Sequence, residues 1–425
     1  MTSTIIKNVC LLDGTGAEPY NAEVEIQNKR IKKISRDGAK ISAKSGGEVI
    51  DGGGATLMPG MVEAHAHPSF TNFARFEEPG QIPPEEHVLL SLKFAQLLMD
   101  HGFTSLFCAA SCKPRTDLVV RDFINSGDFE GPRMSAASPE FTVTGGMGDV
   151  SMNHLYQENF GTVCNGPDEF LKAVRQSCRE GVDVIKINPS GDFACPQAKA
   201  NFTMMTEEEI KASCFAAHSF GKRVAVHARN AESVKLSLKY GAEIIYHATL
   251  IDEEAKDMLE ARKDEIFVAP TIGVTYAACY EAAEFGISAE DAIAGGFKLE
   301  LETACENMKD LHKRGVRVLP GGDYGLIWNP NGKNARDIDL FVKLLGMSPM
   351  EAIISATQYG GQIMGMGDEL GIVKEGYLAD LLLVDGDPLK DVTILQNQDS
   401  FLMIMKDGQF RKRPDSVEKI SVKAA

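Results

Sequence analysis

Residues 61–68 read MVEAHAHP and set two histidines one residue apart at the end of an apolar run. On a strand, side chains alternate between faces, so His65 and His67 share one side while Ala66 turns away. A lone histidine at a strand end is commonly a hydrogen-bonded structural residue, but these two have company. Lys186 lies inside DVIKI, His227 closes RVAVH, His247 closes EIIYH, and Asp323 follows VRVLP in the segment LPGGD. Burying Lys186 between Ile185 and Ile187 without a partner would cost several kcal/mol or force the amine neutral, so it needs an anion, a modification or a metal-linked role. His87, His101, His154, His218 and His312 fall in helical or loop contexts and read as ordinary surface or packing residues.

What must position such a set is a series of strands whose ends meet. Apolar runs of strand length alternate with helical patterns: FTSLFC, DVIKI, RVAVH, EIIYH, IFVAP and VRVLP. Between them lie helix signals such as the capping box at Thr206–Glu209 and the terminating glycines Gly102, Gly221, Gly241 and Gly315. Strands rich in Val and Ile, separated by helices, imply a parallel sheet buried on both faces. With the run before His65 and a weaker one at RMSAAS there are about eight units, which favours a closed (β/α)8 barrel whose site sits at the carboxyl ends of the strands. Both termini are different in style, with short β-rich runs and Gly-rich turns. They predict a small β-sandwich domain from residues 1–57 plus 370–425, flanking a barrel over 58–369.

The chain has 425 residues, 44% of them hydrophobic, and a formal net charge of -16. That acidity argues against a nucleic-acid or anionic-membrane partner. No run approaches the ~18 apolar residues needed to span a bilayer, and the amino terminus lacks a secretory pattern. A cytoplasmic homo-oligomer acting on a small molecule is expected. The nine scattered cysteines suggest neither a disulfide framework nor a Cys-rich zinc site.

Taken in order, LLDGTG (11–16), VIDGGGATLMPGMVEAHAH (49–67), VIKI (184–187), VAVHA (224–228), IIYHATLID (244–252), GGDYG (321–325) and GYLADLLLVDGDPL (376–389) resemble the markers of the metal-dependent amidohydrolase superfamily. The likeness is greatest to the branch of imidazolonepropionase-like proteins, Xaa-Pro dipeptidases, ochratoxinase and phenylurea hydrolases. It implies a binuclear centre: His65, His67 and Asp323 on one divalent ion, His227 and His247 on a second, and Lys186 carboxylated to bridge them. Zinc suits four imidazoles with carboxylate-type oxygens. The implied chemistry is cleavage of a carbon–nitrogen bond in an amide, peptide-like amide, carbamate or urea by metal-bound hydroxide, with Asp323 moving the proton. A mononuclear deaminase and a non-catalytic scaffold are the alternatives. The retained Lys186 weighs against the first, and the complete ligand set against the second.

Three positions depart from those relatives. Met147 in TGGMGD stands where many carry histidine, Arg229 follows in HAR where many read HAH, and Asn331 occupies a site where histidine is common. With Tyr276 and Trp328 they are the candidate substrate contacts, for an aryl or acyl-amino-acid substrate. Arg229 could hold a substrate carboxylate or simply pair with a neighbouring acid.

Overall fold

The computed structural model describes residues 3–36, 38, 40–42, 47–155, 157–414 and 417–419. The last six residues of the expected small domain, 420–425, lie outside the described residues. Five strands open the chain: β1 (Ser3–Leu11), β2 (Tyr20–Gln27), β3 (Arg30–Arg36), β4 (Glu48–Asp51) and β5 (Thr56–Pro59). The β1 register shifts between Ile6 and Val9, where Asn8 takes a left-handed conformation (φ 55°). This bulge lets one strand serve two neighbours: Thr4–Lys7 pair with β4, and Cys10 and Leu11 pair with β5.

The barrel strands follow: β6 (Met61–Ala66), β7 (Phe103–Cys108), β8 (Arg133–Ser135), β9 (Ala137–Thr142), β10 (Thr162–Val163), β11 (Val184–Ile187), β12 (Arg223–Asn230), β13 (Ile244–Leu250) and β14 (Phe267–Ala269). Pairing is parallel in two stretches, β6-β7-β8 and β10-β9-β11-β12-β13-β14. The helices between them fall where the capping signals put them. At Thr206 the side chain accepts from the Glu209 N–H while Glu209 reaches back to the Thr206 N–H.

Two expected strands come out differently. The weak run at RMSAAS continues through Thr142 as β9, which carries Glu140 inward. VRVLP forms only a bridge between Val268 and Val318, flanked by hydrogen bonds from Val268 N to Arg317 O and from Leu319 N to Val268 O. Pro320 has no N–H with which to extend a ladder. At Gly321 an added Cβ would lie 2.7 Å from the His65 Cβ, so only glycine lets this segment press against the first barrel strand.

The chain then returns to the first sheet with β15 (Leu381–Val384), β16 (Phe401–Lys406), β17 (Gln409–Lys412) and β18 (Val417–Lys419). The order is β17-β16-β15-β5-β1-β2-β3, with β4 and β18 paired at the side. β5 crosses the boundary expected at 57/58, since Met58 and Pro59 pair with Leu382 and Leu381. Apolar residues separate into a large barrel core, including Ile185, Val224, Ile244 and Val268, and a smaller one built on Ile6, Val24, Leu57 and Leu383. Each such side chain, fully buried, stabilises the fold by roughly 1.5–3 kcal/mol. Arg133 clasps the units together, with Nη1 to Asp380 and Nη2 to Asp407, both at 2.6 Å. Every cysteine is unpaired, and among the described residues no helix is long and apolar enough to cross a membrane.

Candidate active site

Four residues at or beside the strand ends depart from ordinary backbone. His247 (φ 74°), Ala248 (φ 50°), Thr271 (φ 60°) and Asp323 (φ 58°) are all left-handed without being glycine. Each such turn costs on the order of 1 kcal/mol, and such strain collects where side chains must be aimed. Asp323 is thereby brought to the two histidines after β6. Its Oδ1 lies 3.8 Å from His65 Nε2 and 3.3 Å from His67 Nε2. One ligand atom from each of the three falls within 4.8 Å of the others.

The ring environments define which nitrogens are available. His67 Nδ1 donates to the Ala110 carbonyl at 3.1 Å, leaving Nε2 as a lone pair toward Asp323. His227 Nε2 donates to the Gly191 carbonyl at 3.2 Å, leaving Nδ1. His247 pairs through Nδ1 with the Thr271 hydroxyl at 2.6 Å, while its Nε2 is buried with no partner. The His65 Nδ1 is likewise buried and unpartnered. An orphaned buried nitrogen is expensive, so the free Nε2 of His247 fits a cation. Burial lowers the basicity of His65 and His247 far below the usual imidazole range and takes His227 to about 3. All three are therefore neutral at pH 7, the state that ligates. Burial opposes ionisation of Asp323, but positive charge among its neighbours His65, His67 and Lys186 outweighs that penalty and lowers the carboxyl well below its normal range.

The rings are also fixed in place. His65 stacks on Tyr246 at 3.8 Å between centroids, and His67 stacks on Phe70 at 3.8 Å. His227 and His247 lie 4.1 Å apart, and His247 is 5.7 Å from His65. The six expected ligands thus form one buried neighbourhood, with Lys186 only 1% exposed. Lys186 Nζ lies 4.0 Å from Glu140 Oε1 and 4.5 Å from the Tyr246 ring. Its basicity is lowered, mainly by burial, and that of Glu140 is raised for the same reason.

Of the expected substrate contacts, Met147, Arg229 and Trp328 line the cavity over these ligands, together with Phe70, Phe76 and Leu326. Tyr276 does not. Its helix, Ile272–Tyr280, turns Val274 and Thr275 to the cavity, and a residue further on the ring of Tyr276 sits 4.9 Å from Tyr280. Asn331 is also displaced from the lining, because its Nδ2 donates to the carbonyls of Phe70 (2.9 Å) and His67 (3.3 Å) and so ties down the loop after β6. Arg229 is closed by acids: Nε and Nη2 donate to Asp192, and Nη1 pairs with Glu300.

Sequence reasoning passed over Glu140, Asp192, Glu300 and Glu63. The buried Glu63 accepts from the His65 N–H and from Asn334, and burial raises it to about 8. Glu63, inside the apolar run before His65, was the available signal, since a charge there needs a partner. Among the other histidines, His87 bonds the Ser69 carbonyl, His218 faces Glu243 and His312 faces Glu351, which are structural roles.

An amidohydrolase family description matches residues 56–411. Ochratoxinase of Aspergillus niger is 25% identical over 446 aligned positions, covering 97% of this chain and 87% of that protein. A solved Xaa-Pro dipeptidase with methionine in its active site superposes with a TM-score of 0.83 at 28% identity, covering 96% and 100% of the two chains. The solved A. niger ochratoxinase shares the fold with a TM-score of 0.82 at 24% identity over 97% and 96%. The barrel with its small β domain, and a His–His–Asp group at the strand ends, accord with these likenesses, and the chain belongs to the amidohydrolase family, as a hydrolase of carbon–nitrogen bonds.

Proposed function

We propose that the protein is a binuclear metal-dependent amidohydrolase acting on a small aryl or acyl-amino-acid amide, carbamate or urea. The observation that carries this is the convergence of His65, His67 and Asp323 within 4.8 Å. In this reading they would hold one ion, His227 and His247 would hold the other, and Lys186, if carboxylated, would supply the anion shared by both. Zinc is the ion favoured by the donor set. The buried Nε2 of His247, which has no partner, supports a cation-binding role. Two divalent ions held there would polarise a substrate carbonyl and make hydroxide available near neutral pH.

The chain supplies the remaining steps. Asp323, held ionised and with 18% of its side chain exposed, takes the proton from the attacking water. It then passes that proton to the departing nitrogen, which would otherwise leave as a poor amide anion. The aromatic wall of Phe70, Phe76 and Trp328 keeps bulk water from the reacting carbonyl and orients a flat group. A homo-oligomer is part of the same reading.

Glu140 favours a second reading. At 4.0 Å it could pair with Lys186 as an ordinary ammonium, leaving one metal and a mononuclear, deaminase-like centre. Elemental analysis of purified protein, with turnover measured on a panel of dipeptides, N-acyl amino acids, anilides, carbamates and phenylureas, separates the two. About two metals per chain and release of amine from at least one amide-type member are expected. Full activity at one metal per chain refutes the binuclear reading, and activity that survives complete removal of metal by a chelator refutes both.

A further inference from the structure

Arg229 is the cavity cation with no place among the metal ligands, and its surroundings decide what the cavity can accept. It is 3% exposed. Its Nε and Nη2 both donate to Asp192 Oδ2, at 2.8 and 2.6 Å, and its Nη1 pairs with Glu300. Glu300 is fully buried on the helix Phe297–Lys313, where it accepts from the Thr249 hydroxyl at 3.2 Å. A buried carboxylate is costly unless a cation balances it, and Arg229 is that cation. One guanidinium therefore faces two carboxylates and has no charge to spare for a third.

The neighbouring groups do not supply one. Besides Arg229, the charged residues lining the cavity are Glu140, Lys186, Asp192 and Asp323. A second cleft shares Phe76, Met147 and Ala194 with the cavity. Its charged lining residues are Glu77 and Asp149, both acids. Among the described lining residues, the side chains outside the ligand cluster thus offer a substrate carboxylate acids and no unpaired cation. The apolar walls, with Trp328 presenting an indole N–H buried without a partner, suit a neutral group that can accept a hydrogen bond.

We infer that the cavity selects uncharged aryl amides, carbamates or ureas and discriminates against substrates bearing a carboxylate beside the scissile bond, with Asp192 and Glu300 as the specificity-determining residues that close Arg229. This rests on the hydrolytic reading above and narrows it.

Trp328 is the only tryptophan of the chain and lines the cavity, so its fluorescence reports occupancy without turnover. The test titrates metal-replete protein with N-benzoylphenylalanine amide and with N-benzoylphenylalanine, which differ in one charge, and measures kcat/KM for both. The amide should bind about tenfold more tightly or better, with kcat/KM shifted the same way, since like-charge juxtaposition is strongly penalised. In Glu300→Gln, which keeps a partner for Thr249 while releasing one side of Arg229, the ratio should fall toward one. Equal or tighter binding of the carboxylate by the wild type overturns the inference, as does failure of the amide to bind. A ratio unmoved in Glu300→Gln overturns the role of Glu300. Preferential binding of the amide with no cleavage of any amide-type compound upholds the charge selection and removes the hydrolytic reading instead.

Discussion

Replacing Lys186 by alanine separates two electrostatic accounts of one buried nitrogen. Lys186 is 1% exposed and Glu140 is 2% exposed. Their closest charged atoms are 4.0 Å apart, and the other partner of the Glu140 side chain is the Asn188 amide at 2.7 Å. If the amine is an ammonium, its loss strands a buried carboxylate, at a cost of about 3–5 kcal/mol. Emptying the space of the lysine stem adds about 2 kcal/mol. Metal content should then be unchanged. If the amine is carboxylated, only the cavity cost of about 2 kcal/mol falls on stability. The loss appears in the metal centre: content falls below two ions per chain, and turnover falls about a thousandfold, because several kcal/mol of transition-state stabilisation are forfeited at 1.36 kcal/mol per decade. A short carboxylic acid in excess can occupy the vacated space and restore part of the activity, since the centre needs a bridging anion and not the stem. Metal analysis, turnover with and without added propionate, and denaturant unfolding make the assay. A variant that keeps its metal, gains nothing from propionate and loses about 5 kcal/mol of stability refutes carboxylation.

Three further outcomes are expected. His247→Ala removes an imidazole whose Nε2 has no other partner, so turnover should drop about a hundredfold or more while circular dichroism stays native; near-normal turnover with full metal content removes it from the ligand set. Asp323→Asn keeps the size of the side chain and loses the proton acceptor, so turnover should fall by about 10²–10⁴ across the pH range; a loss confined to one end of that range points to another base. Asp117 is wholly buried, and burial raises its carboxyl from 3.8 to about 7. The folded state therefore binds more protons than the unfolded one between these values, so stability declines as pH rises from about 4 to 7 and stays lower above. Asp117→Asn should gain on the wild type in denaturant unfolding as pH rises from 5 to 8, and a pH-independent difference contradicts an ionisable Asp117.

Much of the architecture is local and therefore legible. The strands FTSLFC and VIKI appear as expected, and the capping box at Thr206 forms with both of its hydrogen bonds. These features depend on side-chain alternation and on hydrogen bonds within four residues. VRVLP could not be judged that way. Its failure to extend follows from Pro320 and from the approach of Gly321 to His65, a contact between residues 256 positions apart in sequence. β9 runs past RMSAAS for a related reason: Lys186 and Asn188 lie beside Glu140 and let a buried strand carry it.

The ligand types could be read from the chain because a histidine, lysine or aspartate closing an apolar run is conspicuous wherever the run folds. Sequence by itself picked out six polar residues in or just after apolar runs and pointed to a parallel barrel that would gather them. Tertiary structure alone decided which ring nitrogen of His67, His227 and His247 is engaged, because Ala110, Gly191 and Thr271 supply the opposing hydrogen bonds from distant segments. It also decided the fate of Arg229. From the chain it could hold a carboxylate or pair with an acid; in the fold, Asp192 and Glu300 already occupy it, because the helix Phe297–Lys313 packs along β13 and brings a buried carboxylate to the guanidinium.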